Sequence, residues 1–152
     1  MTSRAVIIGV GNPWRRDDGI GWAVAEAVGH RLGPAVEVVE SDGEPTRLLD
    51  AWAGVDVAVV VDAVRGGGAP GKIHVWTDDS ELPGTSPSTG SHALGLADAV
   101  ALGRALHRLP RRLIVVGVEA HDTTPGHGLS SAVAGVVEEA VDVIATLVGS
   151  RL

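Results

Sequence analysis

The sequence predicts an α/β domain in which helices cover both faces of a largely parallel sheet, giving three α/β/α layers. Short apolar runs that end at Gly or Asp indicate buried strands, and stretches with apolar residues at helical spacing lie between them. The two kinds of segment alternate along the chain, which is typical of a parallel sheet. A length of 152 residues suits a single domain spanning 1–152.

The first half of the chain carries two strand–helix pairs. Carboxylates at Asp17 and Asp18 mark the start of the first helix, because the helix dipole favours acidic groups in a first turn. A proline marks the start of the second helix. The predicted elements are a strand at Ala5–Val10, a helix from Asp17 or Asp18 to about Leu32, a strand at Val36–Glu40 and a short helix at Pro45–Ala53.

The second half carries the strand with the strongest apolar run and two further helices. Ser91 is the expected N-cap of the longer of these, since serine favours that position. The predicted elements are strands at Val55–Val61, Lys72–Trp76 and Leu113–Val118, loops at Ser80–Ser91 and His121–Gly128, a helix beginning at His92, and a final amphipathic helix whose apolar positions run from Leu129 to Ile144.

Composition excludes several classes of function. The formal net charge of −7, with 19 acidic and 12 basic residues, argues against a nucleic-acid partner. The absence of cysteine excludes a disulfide, a cysteine nucleophile and a thiolate metal site, and it fits a cytoplasmic protein. No apolar run approaches a membrane span, so no membrane association is expected.

Three side chains able to bind a metal follow predicted strands or loops. Asp18 follows the first strand, Asp62 ends the central strand, and His92 closes the long loop before a helix. In open α/β sheets, ligands bind outside the carboxyl ends of the strands, so the three are expected to meet there. One imidazole and two carboxylates suit a borderline divalent ion such as nickel or zinc, and three protein ligands leave positions open for water or substrate.

Each of these residues also has a simpler structural interpretation. Asp17 would cap the first helix while Asp18 stays solvated, Asp62 would bind backbone N–H groups of a neighbouring loop, and His92 would be an ordinary surface histidine. Other candidates are Glu119, which ends a buried strand as Asp62 does, and the two loop histidines that could support a metal site indirectly, His121 and His127.

Several common motifs are absent. Gly9-Val10-Gly11 resembles the start of a dinucleotide fingerprint, but Trp14 occupies the position of its third glycine, so the glycines more simply form a tight strand-to-helix turn. The chain has no H-E-x-x-H zinc-protease motif, no G-x-S-x-G nucleophile elbow and no G-x-x-x-x-G-K-[ST] phosphate loop.

Four segments, taken together and in order, resemble the [NiFe]-hydrogenase maturation endopeptidases. They are GVGNPWRRDDGIGWAVAEAV, VAVVVDAV, SHALGLADAV, and LIVVGVEA followed by a His/Pro/Gly loop and an amphipathic helix. The metal contacts of that family fall on Asp18, Asp62 and His92. Asp18 is often Glu in relatives, and the loop Ser41–Thr46 replaces the Gly-Thr-rich turn that many of them carry.

The resemblance implies a phosphorylase/hydrolase-like α/β/α sandwich with a twisted, mostly parallel five-stranded sheet. It also implies an activity: one cut that removes the C-terminal extension of a hydrogenase large-subunit precursor once nickel is in place. The nickel would be carried by the substrate, with zinc or cadmium as a surrogate, and Asp18, Asp62 and His92 would serve as catalytic and metal-contacting residues. An alternative is a catalytically silent chaperone of the same fold that binds metal or precursor. A third is an unrelated hydrolase or nucleotide-binding domain.

Overall fold

The computed structural model describes residues 4–77 and 91–149, and within the first turn of the helix that begins at Ser91 it describes the backbone but not the side chains of residues 91–94. The strands are β1 (Ala5–Val10), β2 (Val36–Ser41), β3 (Val57–Val64), β4 (Ile73–Trp76) and β5 (Arg112–Glu119). The helices are α1 (Ile20–Leu32), α2 (Pro45–Trp52), α3 (Ser91–Leu106), α4 (Ser131–Ala134) and α5 (Val137–Gly149), with short 3-10 turns at Arg16–Gly19 and Gly33–Ala35.

The five strands form one sheet in the order β2-β1-β3-β5-β4. Pairing is parallel between β1 and β2, β1 and β3, and β3 and β5, whereas β4 runs antiparallel to β5 at the edge. The prediction of a mostly parallel five-stranded sheet is therefore confirmed. Because β1 and β3 lie side by side at the centre, the segments that follow them share one edge of the sheet.

Alternate residues of the central strands pack into two separate cores, as the twofold repeat of a strand requires. On one face, Ile7 and Val59 join buried residues of α1 and α5. On the other face, Ile8 and Val60 join buried residues of α2 and α3, with Trp52 fully buried. Both faces are thus covered, which confirms the α/β/α layers and explains why the strands are apolar throughout.

Two glycines bring α1 into direct contact with the sheet. A Cβ on Gly9 would lie 2.4 Å from the carbonyl oxygen of Gly21. A Cβ on Gly21 would lie 2.3 Å from the carbonyl oxygen of Val61 and 2.4 Å from that of Val10. No Cβ fits at such distances, so the first turn of α1 rests on the carboxyl ends of β1 and β3 only because it carries glycine there.

We expect Gly21→Ala to lower the free energy of unfolding by about 3 kcal/mol, because the added methyl group meets two rigid backbone carbonyls and forces the helix off the sheet. Denaturant unfolding followed by circular dichroism measures the change. Gly149→Ala is the matched control, since a Cβ on Gly149 meets nothing within 4 Å. Equal stability of the two variants would contradict the proposed close packing.

Several predicted boundaries were wrong. α1 begins at Ile20, after the 3-10 turn at Arg16–Gly19, and not at Asp17 or Asp18, and β3 begins at Val57 and not at Val55. β3 does not stop before Asp62 but continues to Val64, because its backbone pairing with β5 persists through Asp62 opposite Gly117 and Val64 opposite Glu119. The final helix is not continuous: α4 ends at Ala134, and α5 begins at Val137 after a break at Gly135. Glycine is the residue least favourable to helix continuation apart from proline.

Two further expectations concern the start of α3. The predicted loop Ser80–Ser91 lies largely outside the described residues. The predicted N-cap, Ser91, is the first residue of α3, one position later in the helix than expected.

Among the described helices, none combines the length and apolar character needed to cross a bilayer.

Candidate functional site

Asp18 lies in the 3-10 turn that links β1 to α1. It is 8% exposed, and its Oδ2 accepts a hydrogen bond from the backbone N–H of Asn12 at 2.9 Å. Gly11 has a φ of +140°, and a Cβ there would lie 2.0 Å from the carbonyl oxygen of Asp18. The turn around Asp18 therefore requires glycine at position 11, as the sequence predicted. The simpler interpretation of Asp18 as a solvated residue is wrong, because its side chain is buried.

Asp62 projects from the central strand near its carboxyl end. It is 6% exposed and lies opposite Gly117 of β5. The residue before Asp62 is Val61, and the carbonyl of Val61 packs against Gly21. Gly21 in turn lies three residues after Asp18 in the chain. The 3-10 turn that carries Asp18 also contacts β3 directly. Two buried carboxylates therefore lie at the same edge of the sheet, on adjoining segments.

His92 belongs to the first turn of α3, but its side chain is outside the described residues. The backbone nevertheless locates the start of this helix. A Cβ on Gly95 would lie 2.7 Å from the carbonyl oxygen of Gly43, so α3 begins against the loop after β2. That loop adjoins the one after β1, because the N–H of Gly11 donates to the carbonyl of Ser41 at 3.0 Å. Convergence of the His92 ring on the two carboxylates stays a prediction.

Among the side chains that the structure describes, no group of three or more His, Asp or Glu is placed to hold a metal ion. The predicted metal set includes His92, which is not one of those side chains. The two described members of the set, Asp18 and Asp62, supply oxygen donors that suit a divalent ion.

Asp17 has a role that the sequence did not reveal. It is fully buried, and it does not cap the first helix. Its Oδ2 accepts from the backbone N–H groups of His121 at 2.9 Å and Asp122 at 2.8 Å and from the Ser130 hydroxyl at 2.8 Å, and its Oδ1 accepts from the Ser130 N–H at 2.7 Å. The predicted capping role is therefore wrong: Asp17 ties the turn beside Asp18 to the loop after β5.

Those contacts also set the ionisation of Asp17. Burial by itself would raise the pKa of this carboxyl group, but the hydrogen bonds from Ser130, Asp122 and His121 favour the ionised form more strongly. The pKa of Asp17 is consequently lower than its ordinary value, and the tie is that of a carboxylate anion.

Glu119, the reserve candidate, lies at the end of β5 and is 2% exposed. Its Oε1 lies 2.9 Å from Nε2 of His74, and its Oε2 accepts from the N–H of Gly66 at 3.1 Å. A Cβ on Gly68 would lie 3.1 Å from Oε1. Glu119 therefore joins β4 to the glycine-rich segment after β3, and His74 is a partner that no sequence motif indicated.

The loop histidines lie on either side of the Asp17 tie. His121 donates its backbone N–H to Asp17, and its side chain is exposed. The His127 ring packs edge-on against Trp14, with ring centroids 4.9 Å apart. Both histidines thus belong to segments that adjoin the turn carrying Asp18.

Comparison with known proteins decides the family. The profile of the hydrogenase maturation protease family matches residues 23–147, a range that includes Asp62 and His92. The hydrogenase 2 maturation protease of Escherichia coli K12 is 33% identical over 143 residues, which are 91% of this chain and 87% of that protein. The chain belongs to the hydrogenase maturation protease family.

Solved structures agree with this membership of the hydrogenase maturation protease family. The hydrogenase maturating endopeptidase HybD from E. coli superposes with a TM-score of 0.85 at 28% identity, over 97% of this chain and 93% of that one. The solution structure of an endopeptidase from Escherichia coli gives a TM-score of 0.82 at 30% identity, over 94% and 90% of the two chains. The resemblance first seen in four segments therefore extends over nearly the whole fold.

Proposed function

We propose that this chain is an endopeptidase that removes the C-terminal extension from a nickel-loaded [NiFe]-hydrogenase large-subunit precursor. The observation that carries the proposal is the placement of two buried carboxylates, Asp18 and Asp62, at the carboxyl edge of β1 and β3. Burying a carboxylate is costly, and a pair of buried carboxylates at the ligand-binding edge of a parallel sheet is typical of a functional site. The family membership supports the same activity.

The proposed partner is the precursor, and the nickel ion is part of that substrate. Asp18, Asp62 and His92 would contact the open positions of an ion that the precursor's own groups hold. Two oxygen donors and an imidazole nitrogen fit nickel, and they would equally accept zinc or cadmium in its place. A precursor without nickel would lose these contacts and bind more weakly, so the site would discriminate by differential affinity.

The two carboxylates would also act on the peptide bond. A carboxylate held near the scissile carbonyl accepts a proton from the attacking water, which is general-base catalysis. The Asn12 N–H orients the Asp18 carboxylate by donating to its Oδ2 at 2.9 Å. The proposed reaction is therefore an aspartyl-type hydrolysis. The proposed location of the protein is the cytoplasm.

The direct test is incubation of purified chain with nickel-loaded and nickel-free precursor, followed by intact-protein mass spectrometry. We expect one truncated product, formed from the nickel-loaded precursor only. A precursor that binds the chain but is never cut would favour the silent chaperone instead. Equal cutting of both precursors would remove nickel recognition from the proposal while leaving the peptidase activity.

A further inference from the structure

Trp14 is the most exposed large hydrophobic side chain among the described residues, with 67% of its surface accessible. The other tryptophans are placed differently: Trp52 is fully buried, and the indole N–H of Trp22 donates to the carbonyl of Ser41. Only 3% of the chain is aromatic, so an indole left in solvent is an unusual use of a scarce residue type. A single exposed apolar residue is common on protein surfaces, so its meaning depends on how it is held.

The backbone of Trp14 is held on both sides. Its N–H donates to Oδ1 of Asn12 at 2.9 Å, and its carbonyl accepts from the N–H of Gly126 at 2.9 Å. The indole meets the His127 ring edge-on at an interplanar angle of 61°. The backbone of Trp14 is therefore fixed at both its N–H and its carbonyl, so ordering this residue in a complex costs less conformational entropy than ordering one in an untethered loop.

The same turn connects Trp14 to the proposed reaction site. Asn12, which binds the Trp14 N–H through its side chain, donates its own N–H to the Asp18 carboxylate. One residue thus links the exposed indole to the acidic site. A ligand that packs on the indole would lie beside the carboxyl edge of β1.

Arg15 adds a positive charge to this surface. Its side chain is exposed and makes no hydrogen bond or ion pair within the part of the chain that the structure describes. Arg16 differs, since its guanidinium group lies 3.8 Å from Asp122 and fills the space that a Cβ on Gly126 would need. In a chain with a net charge of −7, a cation that has no acidic partner among residues 4–77 and 95–149 and lies next to an exposed indole favours a partner that is apolar and acidic.

We infer that Trp14 and Arg15 form the docking surface for the precursor segment next to the scissile bond. An apolar side chain of that segment packs on the indole, and a neighbouring carboxylate pairs with the guanidinium group of Arg15. This inference rests on the proposed peptidase function and extends it to substrate binding. Tryptophan and arginine are the residue types that most often dominate binding energy at protein interfaces. The two residues determine affinity for the precursor and take no part in the bond cleavage.

The test is steady-state cleavage of nickel-loaded precursor by Trp14→Ala, Trp14→Phe and Arg15→Gln. We expect Trp14→Ala to raise KM roughly tenfold while kcat stays within about twofold of the wild type, because the lost contact serves binding. Trp14→Phe should recover most of the loss. Arg15→Gln should raise KM several-fold at low salt, with a weaker salt dependence than the wild type.

Leu106→Ala is the matched control, because Leu106 is 52% exposed at the far end of α3. An unchanged KM in Trp14→Ala, or a loss confined to kcat, would overturn the docking surface even though the wild type cleaves normally. Absence of cleavage by the wild type would instead refute the proposed function.

Indole fluorescence provides a second readout that does not depend on turnover. Precursor binding should change the emission of the wild type, and Trp14→Phe should abolish that change while Trp22, Trp52 and Trp76 remain. Thermal unfolding of each variant establishes that it is folded. Persistence of the emission change in folded Trp14→Phe would contradict contact at Trp14.

Discussion

Asp62→Asn is expected to reduce removal of the precursor tail by roughly 10³-fold, within the range that general acid–base groups contribute. The amide keeps the shape of the side chain but loses the negative charge that would bind a cation or accept a proton. Because asparagine has nearly the same volume as aspartate, the buried side chain at position 62 stays packed and the variant should remain folded. Single-turnover cleavage followed by mass spectrometry measures the rate, and denaturant unfolding measures the stability.

Asp18→Asn should show the same pattern, since Asp18 occupies the adjoining turn. His92→Ala tests the third predicted member of the site. The matched control is Asp50→Asn, which alters an exposed carboxylate on α2 that pairs with Arg108 at 3.1 Å. Wild-type cleavage by both Asp18→Asn and Asp62→Asn would eliminate the acidic site as the site of reaction.

Asp17→Ala is expected to lower the free energy of unfolding by about 3–5 kcal/mol, because it leaves three backbone N–H groups and a hydroxyl without their acceptor. Loss of the tie also frees the turn that carries Asp18, so cleavage should fall even where the protein remains folded. Urea unfolding compared with the wild type gives the stability change.

Asp17→Asn separates charge from shape. The pKa of Asp17 is lowered on folding, so its stabilising contribution is complete above the unfolded value of about 3.9 and is lost as pH falls through the lower folded value. The stability difference between wild type and Asp17→Asn should therefore be constant near neutral pH and shrink below about pH 4. The control is Asp142→Asn, which changes an exposed carboxylate of α5 that pairs with Arg31. We expect it to lower the free energy of unfolding by less than about 1 kcal/mol. A wild-type stability in Asp17→Ala would show that the tie contributes nothing.

Much of the fold was predictable because hydrophobic pattern and turn residues agree locally. The run Ala5–Val10 is apolar at every position and is buried at every position, as a central parallel strand must be. The prediction for β3 stopped too early because it treated Asp62 as a polar stop signal. Strand pairing depends on the backbone, so a strand can continue beyond a carboxylate such as Asp62.

The site was predictable only in part. The positions of Asp18 and Asp62 follow from the rule that segments after adjacent parallel strands share an edge. The partners of Asp17 lie 104–113 residues away in sequence, so no local pattern could reveal them. The pairing of His74 with Glu119 depends on an antiparallel edge strand whose register no turn motif specified. In the sequence, Trp14 was noted only because it occupies the third-glycine position of a nucleotide fingerprint. Its exposure to solvent depends on the folded structure.

The hydrogen bonds of Asp17 join segments that are synthesised at very different times. The N-terminal turn emerges early during synthesis, yet its anchor at Ser130 is made more than a hundred residues later. A nascent chain that ends before Ser130 lacks two of the donors that hold Asp17, so its N-terminal turn is without this anchor. The turn that carries Asp18 is therefore expected to take its working shape only after Ser130 has been added to the chain.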